Sequence, residues 1–117
     1  MSAPYLPALL LTIGLEVPVA LAVLAPRAGL APSALAALAV NLVSHPILWF
    51  GLVPGLRAAG LSHQEAVLAA EAVVWLGEAA AYAAVLRPLD WRRAAAAAIL
   101  ANALSAFLGG WIYASLR

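Results

Sequence analysis

Apolar runs long enough to cross a bilayer follow one another along the chain, separated by short stretches rich in proline, glycine and polar residues. A hydrocarbon core of ~30 Å needs about 20 helical residues at ~1.5 Å each. By that measure the pattern predicts four spans, near 5–25, 33–54, 63–87 and 91–113. The first divider, "APRAGLAPS" (25–33), holds two prolines and a glycine, which argue against one continuous helix. The second, "PGLRAAGLSHQE" (54–65), ends in Ser62-x-x-Glu65, a capping box for the start of span three. The third, "RPLDWRR" (87–93), offers Asp90 as the N-cap of span four. Short connections make consecutive helices antiparallel neighbours. The expected architecture is all-α: one domain, residues 1–117, forming a four-transmembrane-helix up-down bundle.

Composition agrees with this picture. Hydrophobic residues make up 67% of the 117 and charged residues 9%, far from the roughly one-quarter charged residues of a soluble domain. A chain this short cannot bury so much apolar surface within itself, so the bilayer is its expected partner. Cysteine is absent, which excludes disulfides, thiolate metal sites and cysteine nucleophiles. A net charge of +1 gives no reason to expect nucleic acid, and the scattered arginines form no polybasic lipid-binding patch. The N-terminus lacks the cationic n-region of a signal peptide and reads as a retained first helix. Arg27, Arg87, Arg92 and Arg93 follow spans one and three, against Arg57 and Arg117 on the other side. That bias places loops 26–32 and 88–90 in the cytoplasm and both termini outside, in a plasma (inner) membrane.

Polar residues inside the spans carry the chemistry. Glu16, Asn41, His45, Glu78 and Asn102 all fall within ~5 Å of the midplane at ~1.5 Å per residue, with Glu71 slightly farther toward the outer side. Asn41 and His45 are four residues apart with Ser44 beside them, and Glu71, Trp75, Glu78 and Tyr82 form one helical stripe. Facing lipid they would cost several kcal/mol, so these stripes should face a small interior chamber. Pro18 and Pro46 cannot donate to the carbonyls of Gly14 and Leu42, which adds free backbone oxygens beside Glu16 and Asn41. Two close carboxylates in low dielectric do not both ionise without a counter-charge. No lysine exists and every arginine lies near a span end, so that charge must be a proton, His45 or a bound ion.

A weak internal repeat runs through the same residues. Aligning Glu16 with Glu78 also pairs Pro26 with Pro88 and, after one gap, Asn41-x-x-Ser44 with Asn102-x-x-Ser105. Two helical hairpins in the same orientation would then be related by an axis along the membrane normal.

The favoured function is a cation or proton transporter or channel, with Glu16, Glu78 and Glu71 as ligands and Asn41, Asn102, Ser44 and Ser105 completing the shell. A divalent cation suits such oxygens, and a metal set of Glu16, Glu78 and His45 would shift preference from Ca²⁺ or Mg²⁺ toward Mn²⁺, Fe²⁺ or Zn²⁺. An organic cation stacked on Trp75 or Tyr82 is a further option. Two alternatives stay open. One is an intramembrane, metal-dependent enzyme, although neither HExxH nor a nucleophile elbow is present. The other is an accessory subunit of a membrane complex, in which the amides and hydroxyls serve as interhelical glue. The Ala runs at 79–84 and 94–98 suit close packing within the chain or in a homo-oligomer. His63 belongs to a solvated cap, and Trp49, Trp75, Trp91 and Trp111 divide between packing and interface anchoring, Trp91 beside Arg92 being the clearest anchor.

In length, number of spans and a glutamate in the first span, the chain resembles the small multidrug resistance transporters. That family uses one such glutamate, and the Glu71/Glu78 stripe and the "NLVSHP" segment have no place in its pattern.

Overall fold

The protein is described from a computed structural model covering residues 5–86 and 90–115, with the side chains of 109–115 excepted. Arg87, Pro88, Arg117 and the Trp111 side chain therefore lie outside the described residues. The described residues are 93% helical and form four helices, with no strand among them. They are α1 (Tyr5–Ala28), α2 (Leu30–Ala58), α3 (His63–Val85) and α4 (Trp91–Ser115). The first three are long and apolar enough to cross a membrane, and α4, at 25 residues, matches them in length.

The helices outrun the expected spans at the first divider. We expected a loop over 26–32, but α1 continues through Pro26 and the link to α2 is Gly29 alone. A proline in the last turn of α1 costs one hydrogen bond, and Pro32 falls in the first turn of α2, where amides have no intrahelical partner to lose. Gly29 adopts φ 93°, ψ 155°, a region open essentially only to glycine. A side chain there would also meet the Pro32 ring at 3.5 Å.

Prolines shape α2 as well. Between Pro46 and Pro54 the helix widens into a π-helical turn, Ile47–Leu52, in which the Val53 N–H donates to Leu48 five residues back. Such turns accommodate an irregular hydrogen-bond ladder and often accompany functional sites. Here the widened turn presents Trp49 and Phe50 toward Tyr5 of α1, at ring-centroid distances of 5.5 and 4.8 Å.

The capping box forms at the start of α3: Glu65 N–H donates to Ser62 Oγ at 3.2 Å and Ser62 N–H donates to Glu65 Oε2 at 2.9 Å. Asp90 accepts from the Arg93 N–H at 2.8 Å and so caps α4. Ser62→Ala is expected to lower stability by about 1 kcal/mol, readable as a shift in reversible detergent unfolding.

Pairings across the bundle show each neighbouring pair running antiparallel. Thr12 meets His45 between α1 and α2, Glu78 meets Asn102 between α3 and α4, and Val23 meets Arg93 between α1 and α4. The end near Gly29 is a dry core of small residues. Ala20, Ala37, Ala94, Ala97 and Ala98 are fully buried there around Leu24 and Tyr82. Close approach of helix backbones requires such residues.

Burial is inverted relative to a soluble domain. Glu16, Asn41, His45, Glu78 and Asn102 are buried, whereas Leu35, Leu68, Leu76 and Phe107 are each about 70% exposed, at 69, 72, 74 and 73%. Apolar surface on this scale requires an apolar surrounding. At the helix start, the Arg92 guanidinium lies 5.4 Å over the Trp91 ring, itself exposed.

Candidate functional site

Away from the alanine-packed end, the four helices separate around a cavity of about 200 Å³. From α1 it receives Thr12 and Glu16, from α2 Asn41, Ser44 and His45, from α3 Glu71 and Glu78, and from α4 Asn102 and Ser105. The spacing of four along α1 and α2 places these side chains on one face, and the same rule aligns Glu71 with Glu78 on α3. Aliphatic residues such as Leu11, Leu48 and Val74 fill the rest of the wall.

Glu78 is the best-held polar group. Ser44 Oγ donates to its Oε2 at 2.7 Å, and Asn102 Nδ2 donates to its Oε1. One carboxyl thus ties α3 to both α2 and α4. Asn102 also donates to the Ala98 carbonyl one turn back, at 2.7 Å, and Asn41 does the same to Ala37 at 2.8 Å. These bonds orient the two amides and leave their carbonyl oxygens turned from the backbone. Glu16, Glu71 and Ser105 line the same cavity as Glu78. Among the described residues, no lysine or arginine lines the cavity.

His45 closes one side of the cavity. Its Nε2 stands 3.5 Å from Thr12 Oγ1, while its Nδ1 is buried without a partner. The ring is tilted against Tyr5 at 5.3 Å and stacked on Trp49 at 5.8 Å. Buried ring nitrogens usually have a hydrogen-bond partner, and none of the described residues supplies one to Nδ1 here.

Most of the residues singled out from sequence meet here: Glu16, Asn41, Ser44, His45, Glu71, Glu78, Asn102 and Ser105. Two do not. Tyr82 sits one helical turn beyond Glu78, 2% exposed in the alanine core, and Trp75 lies outside the cavity wall with its indole nitrogen buried. The stripe shared by Glu71, Trp75, Glu78 and Tyr82 therefore meets the cavity only at its two glutamates. Among the described residues, no group of three His, Asp or Glu side chains is placed to hold one metal ion. Glu16, Glu78 and His45 line the same space without forming a ligand set.

Two contributors were not anticipated. Thr12 is one turn before Glu16, so the same helical spacing that selected Asn41 and His45 would have found it. Tyr5 reaches His45 only because the π-helical turn brings Trp49 and Phe50 around it, and no periodic signal carries that. No protein-family model, curated protein or solved structure matches the chain.

Proposed function

We propose that this is an integral membrane protein that binds a proton or small cation on intramembrane carboxyl groups and passes it across the bilayer, as a transporter or channel. One observation carries the reading: Glu16, Glu71 and Glu78 converge on a cavity in which, among the described residues, His45 is the one basic side chain and no lysine or arginine appears. Hydrogen-bonding glue needs only amides and hydroxyls, and three carboxyls in one apolar bundle exceed that need. Intramembrane ionisable groups of this kind are functional by default.

The inverted burial supports insertion in the bilayer, and the three long apolar helices supply the spans. The two-hairpin repeat belongs to the same proposal, and the contacts that suggest it are few. Asn41 and Asn102 each bond the carbonyl four residues back, while Ser44 of the first hairpin meets Glu78 and Ser105 of the second lines the cavity with Glu16. The arginine bias orients the Gly29 end toward the cytoplasm. In that orientation the alanine core closes the cytoplasmic side and the cavity belongs to the outer half.

The test is flux into proteoliposomes loaded with a pH-sensitive dye, then repeated with Na⁺, Mg²⁺ and Mn²⁺ gradients. The native chain should pass protons or one of these ions, and Glu16→Gln should lower the rate by at least about tenfold, equivalent to ~1.4 kcal/mol of barrier. Its melting temperature should be unchanged, because an amide of the same shape fills the same space in the wall. Absence of flux for every ion with the folded native chain, or equal flux in the variant, would reject a transport site.

A further inference from the structure

The sequence scatters its arginines too widely for a polybasic patch, and the fold gathers them. Antiparallel packing sets the end of α1 against the start of α4, where Arg93 Nη1 donates to the Val23 carbonyl at 2.7 Å across 70 residues of sequence. Arg93 is half-buried there, held between the two helices. Arg27 lies one helical turn beyond Val23 on α1 and is exposed. Arg92, next to Arg93, is exposed as well and keeps its guanidinium 5.4 Å over the Trp91 ring. Three guanidinium groups thus share the Gly29 end of the bundle, one fixed between helices and two exposed.

Acidic side chains do not balance them. Of the five in the chain, Glu16, Glu71 and Glu78 line the cavity and Glu65 caps α3 at the opposite end, which leaves Asp90. Asp90 caps α4 by accepting from the Arg93 N–H. The described groups at this end therefore carry three positive charges against one negative. Leu30, Val85 and Trp91, at the same end, are largely exposed and make the surrounding surface apolar. A surface that is basic at its edge and apolar below fits a molecule with an anionic head and hydrocarbon chains. We propose that the seam between α1 and α4 at the Gly29 end binds the phosphate of an anionic phospholipid, with Arg93 as the fixed fork and Arg27 and Arg92 as the flanking charges. The proposal rests on the reading of the chain as an integral membrane protein and names a lipid partner for it.

Chemistry favours this occupant over others. A guanidinium presents five N–H groups in a planar fork that matches phosphate oxygens, and the bond to Val23 takes one of them. Basic pockets between transmembrane helices are known to hold anionic headgroups. A free anion arriving from water gains only a charge attraction that salt screens within about 8 Å. A lipid adds the cover that its chains give to Trp91 and Leu30. Phosphatidylcholine carries the same phosphate, but its quaternary ammonium brings a further positive charge to a site that already has three. Phosphatidylglycerol has no such cation.

The experiment titrates dioleoyl phosphatidylglycerol into the full chain in detergent and counts bound lipid by native mass spectrometry, with dioleoyl phosphatidylcholine as the comparison probe. The first phosphatidylglycerol should bind at least about tenfold more tightly than the first phosphatidylcholine. Arg27→Gln and Arg92→Gln should each weaken it about fivefold, and because both side chains are exposed the melting temperature should not move. Arg93→Lys keeps the charge and loses the planar fork, so it should weaken phosphatidylglycerol binding too. Arg57→Gln, exposed at the opposite end, should leave binding as it is. Equal binding of the two lipids overturns the proposal, as does unchanged binding in both Arg27→Gln and Arg92→Gln. An equal loss in Arg57→Gln overturns it as well, because the attraction is then to the charge of the whole chain. Displacement of the bound lipid by inorganic phosphate alone overturns the lipid assignment and leaves a soluble-anion site. Flotation with neutral liposomes after an alkaline carbonate wash tests the underlying reading separately. A chain stripped from the vesicles is not an integral membrane protein, whereas one that stays but shows no headgroup preference is integral without this site.

Discussion

Replacing Glu78 by glutamine is expected to stop transport while leaving the bundle standing, and replacing it by leucine to lose both. The difference follows from the hydrogen bonds. Asn102 needs an acceptor at this position, and a glutamine oxygen provides one. Ser44 now donates to the carboxyl, but a hydroxyl also accepts, so the glutamine N–H₂ can donate to Ser44 and the network closes with one bond reversed. Leucine offers neither function. Two interhelical bonds at roughly 0.6–1.7 kcal/mol each are then lost, and a buried amide hydrogen is left without a partner at about 1–3 kcal/mol. Glu78→Leu should therefore be about 3 kcal/mol less stable in reversible detergent unfolding, and Glu78→Gln should stay within about 0.5 kcal/mol of native. Flux in proteoliposomes should fall to background in both. A glutamine variant that is both folded and fully active would show that the site needs hydrogen bonding and not an exchangeable proton or charge.

At the other end of the bundle, Ala97→Leu is expected to cost about 1–3 kcal/mol, the usual penalty for forcing methylenes into a filled core. Ala97 is fully buried in the cluster that holds Ala20, Ala36, Ala37 and Ala98 with Leu24 and Tyr82. A leucine there has to push the helix backbones apart. Ala103, exposed on the outer surface of the same helix, is the control, and Ala103→Leu should change stability by less than about 0.5 kcal/mol. If the two substitutions cost the same, the alanine contacts do not hold the bundle closed.

Much of this organisation could be read before any coordinates. The caps at Ser62 and Asp90 are local devices whose residues sit at fixed offsets, and both form. Helical spacing also selected most of the cavity wall, because a polar side chain four residues from another in an apolar helix has one economical direction to face. What periodicity cannot give is how far along the helix the neighbouring helices stay apart. Tyr82 obeys the same spacing as Glu78, yet falls where the bundle has already closed on alanine. The proline-rich divider misled for a related reason. Proline opposes a helix interior, but Pro26 and Pro32 sit in a last and a first turn, so Gly29 alone had to break the helix. The meeting of Arg93 with Val23 has no counterpart in sequence, since the two lie 70 residues apart.

That single-glycine connection constrains how the protein can move. A hairpin with a long loop lets its helices slide and tilt separately, whereas one residue between α1 and α2 leaves almost no slack at that end. The connection from α2 to α3 is longer, running from Ala58 to His63. Mechanically, the one-residue link resists separate movement of α1 and α2 at the Gly29 end more than the longer connection restrains α2 and α3. Spin labels on the exposed Leu10 and Leu42 should keep a narrow, fixed distance as proton or ion gradients are applied, while a pair on Leu42 and Leu76 should report whatever motion there is.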